Sequence, residues 1–248
     1  MSKKFKGELC VYCAQRPSES GDHVFAREFF LPKDRHDLPK VPACEKCNGA
    51  KSELEHYLAA VLPFGGRHEG AEANLETMVP KRLRKNRKLT IQLAEQTVRL
   101  WSEEREGLWV PALAVPLDPV PLESLFVLVT RGLIWYHWRT YLTEEHSVKA
   151  FLLTRPREPL FDQYLLPGAP VRANLGNGTF VYEGVQGEDC RQLSVWRFSA
   201  FGGVKLVGDP QAPDETSSRI GVLTGPAHMF RHPGLAGVSR SEEGPVFG

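Results

Sequence analysis

Two identical cysteine pairs, Cys10-x-x-Cys13 and Cys44-x-x-Cys47, constrain the fold of this chain more than any other feature. Each C-x-x-C turn can present two thiolates to one metal ion, and two such turns supply the four sulfur ligands of a closed structural zinc site. Disulfides are the alternative. We expect zinc, because the chain opens with Met-Ser-Lys-Lys-Phe-Lys instead of an apolar signal segment, which favours the reducing cytoplasm, where disulfides are rare.

A closed zinc site has no open position for water, so any chemistry must come from residues that the metal holds in place. The segment between the cysteine pairs contains Asp22-His23, and the second pair runs directly into Asn48 with Lys51 three residues later. In this order, these residues resemble the zinc-stapled HNH endonucleases, whose core is a ββα-metal, treble-clef-like finger. The resemblance predicts such a finger over residues 1–66.

The resemblance also implies roles for three residues. His23 would be the general base that takes a proton from water, and an ordinary histidine pKa near ~6.5 suits that task at neutral pH. Asp22 and Asn48 would hold one divalent ion, and their oxygen donors suit Mg²⁺ or Mn²⁺ better than Zn²⁺. The implied reaction is hydrolysis of phosphodiester bonds in nucleic acid, with DNA as the expected substrate and 5′-phosphate and 3′-hydroxyl products.

Departures from the family pattern leave several assignments open. The asparagine that often precedes the second cysteine pair, and that fixes the loop of the base, is absent, so the orienting partner of His23 is unassigned. Glu55 is either a ligand or supporting group, or an exposed helical glutamate. Arg27 and Lys51 either contact a phosphate or lie on a solvated surface, and Arg27 has a salt bridge to Glu28 as a further alternative.

The net charge of +1 gives no global attraction to nucleic acid. A local basic run could supply one, since six of the eight residues 81–88 are basic. We expect this run either to grip the nucleic-acid backbone or to form an ordinary solvated surface. Its candidate contacts are Lys81, Arg82, Arg84, Lys85, Arg87 and Lys88.

The rest of the chain predicts an α+β fold, in which a C-terminal domain of one long helix and an antiparallel sheet follows the finger. The pattern favours helices at residues 46–62 and 122–142, and strands at 148–153, 178–182, 193–198 and 204–207. We place the second domain at residues 67–208 and a loose tail at 209–248, which is rich in Pro, Gly and Ser. The polar interruptions within residues 125–138 argue against a membrane span.

Two other classes of function compete with the nuclease. One is a catalytically silent zinc finger that binds nucleic acid through residues 81–88. The other is a protein-interaction module in which the finger only folds and the sheet dominates. The expected cofactors are structural Zn²⁺ and, for the nuclease alone, catalytic Mg²⁺ or Mn²⁺.

Overall fold

The computed structural model describes residues 5–105, 107–153, 155–168, 170–203 and 219–231. Within these ranges the chain forms six α-helices, two two-stranded ladders and one five-stranded antiparallel sheet. The predicted mixture of helices with an antiparallel sheet is therefore confirmed.

The N-terminal part consists of a cysteine-bearing turn, two short strands and a helix. Strands β1 (Ser20–His23) and β2 (Lys40–Ala43) pair antiparallel, and Asp22 lies opposite Val41. Helix α1 (Glu45–Val61) follows at once, because the extended backbone of Cys44 forms its N-terminal boundary. The prediction of a helix over residues 46–62 is confirmed to within one residue at each end.

Three short helices and a hairpin continue the chain. The basic run lies at their centre and is divided between two helices at Asn86, whose side chain accepts a hydrogen bond from the Leu89 N–H at 3.1 Å. Such side-chain acceptors satisfy one of the free N–H groups at a helix start. The elements are α2 (Glu69–Thr77), α3 (Val79–Lys85), α4 (Arg87–Gln96), β3 (Val98–Arg105) and β4 (Leu108–Ala114).

Helix α5 (Pro119–Trp138) is the long helix of the second part. It starts three residues before the predicted position because Asp118 caps it, accepting a hydrogen bond from the Val120 N–H at 2.9 Å. It ends where Arg139 adopts a left-handed conformation with φ of 53°. The helix packs against the sheet as predicted, through contacts such as Phe126 with Phe198 at a ring distance of 5.0 Å.

The five-stranded sheet has the order β5-β9-β8-β7-β6, and every neighbouring pair is antiparallel. The short helix α6 (Glu158–Leu165) lies between β5 and β6 in sequence and packs on β7 and β8. The strands are β5 (His146–Leu153), β6 (Val171–Leu175), β7 (Phe180–Gln186), β8 (Ser194–Ala200) and β9 (Arg219–Pro226).

Strand β9 corrects the predicted tail. It lies between β5 and β8 in the sheet, with Ile220 and Val222 buried, so the prediction of a loose segment from residue 209 is wrong for this strand. The strand is covered on both faces and shows no alternation of buried and exposed positions, and it contains two glycines and a proline, so its sequence lacks the usual strand signal. The predicted strand at 204–207 and the remainder of the predicted tail lie outside the described residues.

One apolar core crosses the predicted boundary at residue 66. Phe25, two residues after His23, packs against Phe180 and Tyr182 of β7 at ring distances of 4.9 and 5.9 Å. Gly132 of α5 lets that helix approach closely, since a Cβ atom there would lie 3.0 Å from Val24. The segment that carries Asp22 and His23 is thus supported by the helix and the sheet. In the ranges described, no helix combines the length and apolarity needed to cross a membrane.

Candidate functional site

The four paired cysteines converge on one point. The sulfur atoms of Cys10, Cys13, Cys44 and Cys47 all lie within 4.8 Å of one another. A tetrahedral zinc ion bound at about 2.3 Å to each sulfur would separate the sulfurs by about 3.8 Å, so the cluster has the right ligand type, number and size. These cysteines could therefore hold a metal ion such as zinc, as their spacing predicts.

The surroundings of the cluster favour a bound cation. Burial raises the pKa of Cys10, and burial together with neighbouring thiols raises the pKa of Cys47. Burial also opposes ionisation of Cys13, but hydrogen bonds from the Arg16 and Gln15 backbone and the Arg16 side chain bring its pKa down to about 6. Four crowded thiols do not ionise together without a compensating charge, and a metal ion supplies it.

Asp22 lies in a network of buried polar groups next to this cluster. The Tyr12 hydroxyl donates a hydrogen bond to Oδ2 of Asp22 at 2.5 Å, and the Lys51 ammonium lies 2.9 Å from the same oxygen. Only 12% of the Asp22 side chain is exposed. Oδ1 has no hydrogen-bond partner among the residues that the structure describes, so one carboxylate oxygen is held and the other is available to a ligand.

Lys51 is the centre of the network. Its side chain is completely buried, and its ammonium donates to the backbone carbonyl of His23 at 2.9 Å and to the Glu55 carboxylate one turn along α1. This burial excludes the predicted alternative of a solvated surface, and a phosphate contact would require the ammonium to leave its three protein oxygens. Lysine is rarely buried unless it is paired, and here three oxygens surround it.

Glu55 is also buried, so the predicted alternative of an exposed helical glutamate is wrong. Burial raises its pKa to about 7, although the charge and hydrogen bond of Lys51 act in the opposite direction. The carboxyl group therefore exchanges its proton near neutral pH. Its ion pair is with Lys51, so it supports the network from the side opposite Asp22.

His23 ends β1 and is partly buried. Burial is the main cause that lowers its pKa, and the nearby positive charges of Lys40, Arg27 and Lys51 lower it further against the opposing effect of Asp22. The ring is consequently neutral at pH 7 and able to accept a proton. Lys51 donates to the backbone carbonyl of this residue at 2.9 Å, which holds the end of β1 against α1 but does not orient the ring.

Asn48 lies in the first turn of α1, where its backbone N–H donates to the Cys44 carbonyl at 3.0 Å. It is three residues before Lys51, so the two residues lie on neighbouring positions of the helix surface. The Asn48 side chain makes no hydrogen bond within the described ranges. Its amide oxygen is therefore a possible metal ligand, as the sequence predicts, although no contact links it to Asp22.

The remaining predicted contacts divide into exposed and structural groups. Arg82 belongs to the second group, because its guanidinium donates to the Ala59 carbonyl at 2.8 Å and to the Glu28 carbonyl. The Glu28 carboxylate lies 3.6 Å from His56, and no salt bridge joins it to Arg27 among the described residues. The exposed members of the predicted set are Arg27, Lys81, Arg84, Lys85, Arg87 and Lys88.

Sequence reasoning missed Tyr12 as a member of the site. It lies inside the first cysteine pair, so the turn that carries Cys10 and Cys13 also brings its hydroxyl to Asp22. Burial raises the pKa of Tyr12 well above its ordinary value, and the Asp22 charge adds to that effect, so the hydroxyl stays a donor. An aromatic residue between two ligands is usually read as packing, and only its buried contact with Asp22 reveals the polar role.

Comparisons of the chain with protein-family models, with curated proteins and with solved structures give no match.

Proposed function

We propose that this protein is a metal-dependent HNH-type endonuclease that hydrolyses phosphodiester bonds in nucleic acid. One observation carries the proposal. The Asp22-His23 pair is fastened to α1 by Lys51, directly beside the four-cysteine cluster from which that helix starts. The backbone of His23 and the carboxylate of Asp22 are thereby held against α1, the helix that also carries Asn48 in its first turn.

In this proposal His23 acts as the general base. Its neutral ring takes a proton from water, the water oxygen forms a bond to phosphorus, and the bond from phosphorus to the 3′ oxygen breaks. The departing oxygen is protonated by solvent, which leaves 5′-phosphate and 3′-hydroxyl ends. The lowered pKa of His23 keeps the ring unprotonated at pH 7 before each turnover.

Asp22 and Asn48 would hold the divalent ion. Oδ1 of Asp22 and the Asn48 amide oxygen are hard donors without hydrogen-bond partners in the described ranges, which fits Mg²⁺ or Mn²⁺ with water as further ligands. When bound, such an ion stabilises negative charge on the scissile phosphate and the leaving oxygen. Tyr12 and Lys51 both bind Oδ2 and so keep the other oxygen of Asp22 in one orientation.

The deciding experiment is cleavage of supercoiled plasmid, single-stranded DNA and RNA with added Mg²⁺ or Mn²⁺. Wild type should cut at least one substrate, and His23→Ala from a parallel preparation should lose about 10²-fold or more of that rate, since a general base contributes about 10² to 10⁴. His36→Ala is the matched control, because His36 is an exposed histidine of the same unit. Equal cutting by all three proteins would remove His23 from the chemistry.

A second function has one specific observation in its favour. The Lys51 ammonium already balances the Asp22 charge, and this weakens the attraction of the carboxylate for a divalent ion. A finger neutralised in this way could bind nucleic acid without cutting it. Binding by wild type at low salt with no cleavage of any substrate, and with His23→Ala binding equally well, would establish this silent form.

A further inference from the structure

A cleft of about 550 Å³ lies outside the Asp22 network, between the N-terminal unit and helices α3 and α4. Helix α1 separates the two places: its Glu55 side chain faces Lys51, and the next residue, His56, lines the cleft. The cleft also touches the chain shortly after His23, since Glu28 forms part of its wall. It is therefore a neighbour of the proposed active site but shares no side chain with it.

The walls of the cleft are strongly basic. Arg35, Lys81, Arg82 and Lys85 contribute four permanent positive charges, and Glu28 contributes the single carboxylate. The net charge of the residues that line the cleft is therefore +3, whereas the whole chain carries only +1. The cleft therefore has a local excess of positive charge, and because its walls are concave the fields of these four cations add and attract anions.

The four cations differ in whether they already bind protein groups. Arg82 is committed to two backbone carbonyls and joins α3 to the N-terminal unit. Arg35 donates through Nε to the Phe30 carbonyl at 3.1 Å. Lys81 and Lys85 are exposed, make no hydrogen bond or ion pair among the described residues, and lie one turn apart on α3.

We propose that this cleft binds the phosphodiester backbone of the nucleic acid, with Lys81, Lys85 and Arg35 as the phosphate contacts. The cations belong to two walls, on α3 and on the loop that follows β1, so they suit a chain of phosphates better than one point charge. This inference rests on the proposed function for the class of its ligand. It reduces the phosphate contacts predicted in the basic run to the residues that line the cleft, and so excludes Arg84, Arg87 and Lys88.

The test measures binding of a labelled oligonucleotide, single-stranded and as a duplex, to the full-length protein over about 50 to 200 mM salt without added Mg²⁺ or Mn²⁺. Lys81→Gln/Lys85→Gln removes two contacts. At about 0.7 to 0.9 released counterions per phosphate, the slope of log K against log salt should become shallower by about 1.4 to 1.8. Both lysines are exposed, so the variant should fold normally, and its circular dichroism spectrum verifies this.

Two matched variants with the same loss of charge make the test specific. Lys149→Gln/Arg157→Gln removes exposed cations from the sheet region and should leave the slope unchanged. Arg84→Gln/Lys88→Gln removes members of the basic run outside the cleft and should change the slope less than the cleft pair. Equal changes in the cleft pair and either control pair would overturn the proposal, as would a complete lack of binding by wild type.

The outcome is separable from that of the nuclease proposal. A specific loss of binding in the cleft pair, with no cleavage by wild type, supports the cleft and rejects the nuclease. Cleavage by wild type, with the same salt slope of binding in all three double variants, supports the nuclease and rejects the cleft. Competition with inorganic pyrophosphate adds one distinction: if it displaces the oligonucleotide at equal phosphate concentration, the cleft is a small-anion site and the proposal fails.

Discussion

Two groups of acidic side chains lie at the start of α1 and against its next turns, and the negative charge of each group is balanced differently. The four cysteines at the start of the helix have thiols that ionise together only around a metal ion. One to two turns later, Asp22 and Glu55 flank the ammonium of Lys51, which the chain supplies itself. The cysteines depend on a metal ion from solution for their balancing charge. The carboxylates have theirs once the chain has folded, because Lys51 is part of the chain.

This difference predicts how each group fails. If a metal ion links the cysteines, its loss would leave a cluster of crowded thiols and remove the link between the first turn and α1. Loss of Lys51 leaves the carboxylates without a partner but leaves the metal link in place. Tyr12 connects the two groups, because it lies between Cys10 and Cys13 and donates its hydroxyl to Asp22.

The largest effect should follow removal of the metal. Cys44→Ser, or chelation of the wild type, should unfold the N-terminal unit, because binding at structural zinc sites contributes about 10 to 16 kcal/mol that is also folding free energy. Zinc content by elemental analysis and thermal unfolding by circular dichroism measure this. Cys190→Ser is the control, since Cys190 lies outside the cluster.

The metal should also be lost as pH falls, because protons compete with the metal for the thiolates. A stable, metal-free Cys44→Ser protein with unchanged helicity would show that the cluster is not the link that we infer.

Lys51→Met should produce the second largest effect. The methionine fills similar space but leaves Asp22 without its partner in a buried position, and breaking a buried ion pair in this way costs about 3 to 5 kcal/mol. Urea unfolding at pH 7.5 measures the loss, and zinc content should stay at the wild-type level. Lys46→Met, an exposed lysine of the same helix, should change the free energy of unfolding by no more than about 0.5 kcal/mol.

If Lys51→Met and Lys46→Met were equally stable, the internal cation would contribute nothing. A joint loss of zinc and stability in Lys51→Met would instead show that the two groups are coupled as one unit.

The same contrast explains how much of the site could be predicted from sequence. The C-x-x-C spacing identifies the cysteine pairs directly, and the sequence predicts the helix after Cys44 to within one residue at each end. Lys51 and Glu55 could not be placed in the same way. A lysine and a glutamate four residues apart usually mark a solvated helix face, and only the approach of β1 turns that face into a buried one.

The five-stranded sheet shows the corresponding limit for the fold. Three of its strands and the long helix follow from local periodicity and turn residues, but β9 pairs with β5 across more than sixty intervening residues. Its sequence, with two glycines, a final proline and no alternation of buried and exposed positions, gives too weak a local signal to be separated from a loop. Neighbours that are distant in sequence decide its conformation, and those neighbours cannot be read from the strand itself.

The smallest of these effects is a pH dependence within the second group, and it should come from Glu55. Burial raises the pKa of Glu55 from 4.5 to about 7 in the folded protein. Between these values the folded state binds more protons than the unfolded state, so the Glu55 contribution is fully present below pH 4.5 and is lost as pH rises through 7. The difference corresponds to about 3 kcal/mol.

Glu55→Gln isolates this contribution, because glutamine keeps the shape of the side chain and does not titrate. The stability of the wild type relative to Glu55→Gln should fall as pH rises from 4.5 to 7.5, measured by urea unfolding at several pH values. Glu53→Gln, at an exposed position of the same helix, should show no such trend. A relative stability that instead rises with pH would mean that the Lys51 ion pair outweighs burial, and Glu55 would then be a full charge partner of Lys51 at neutral pH.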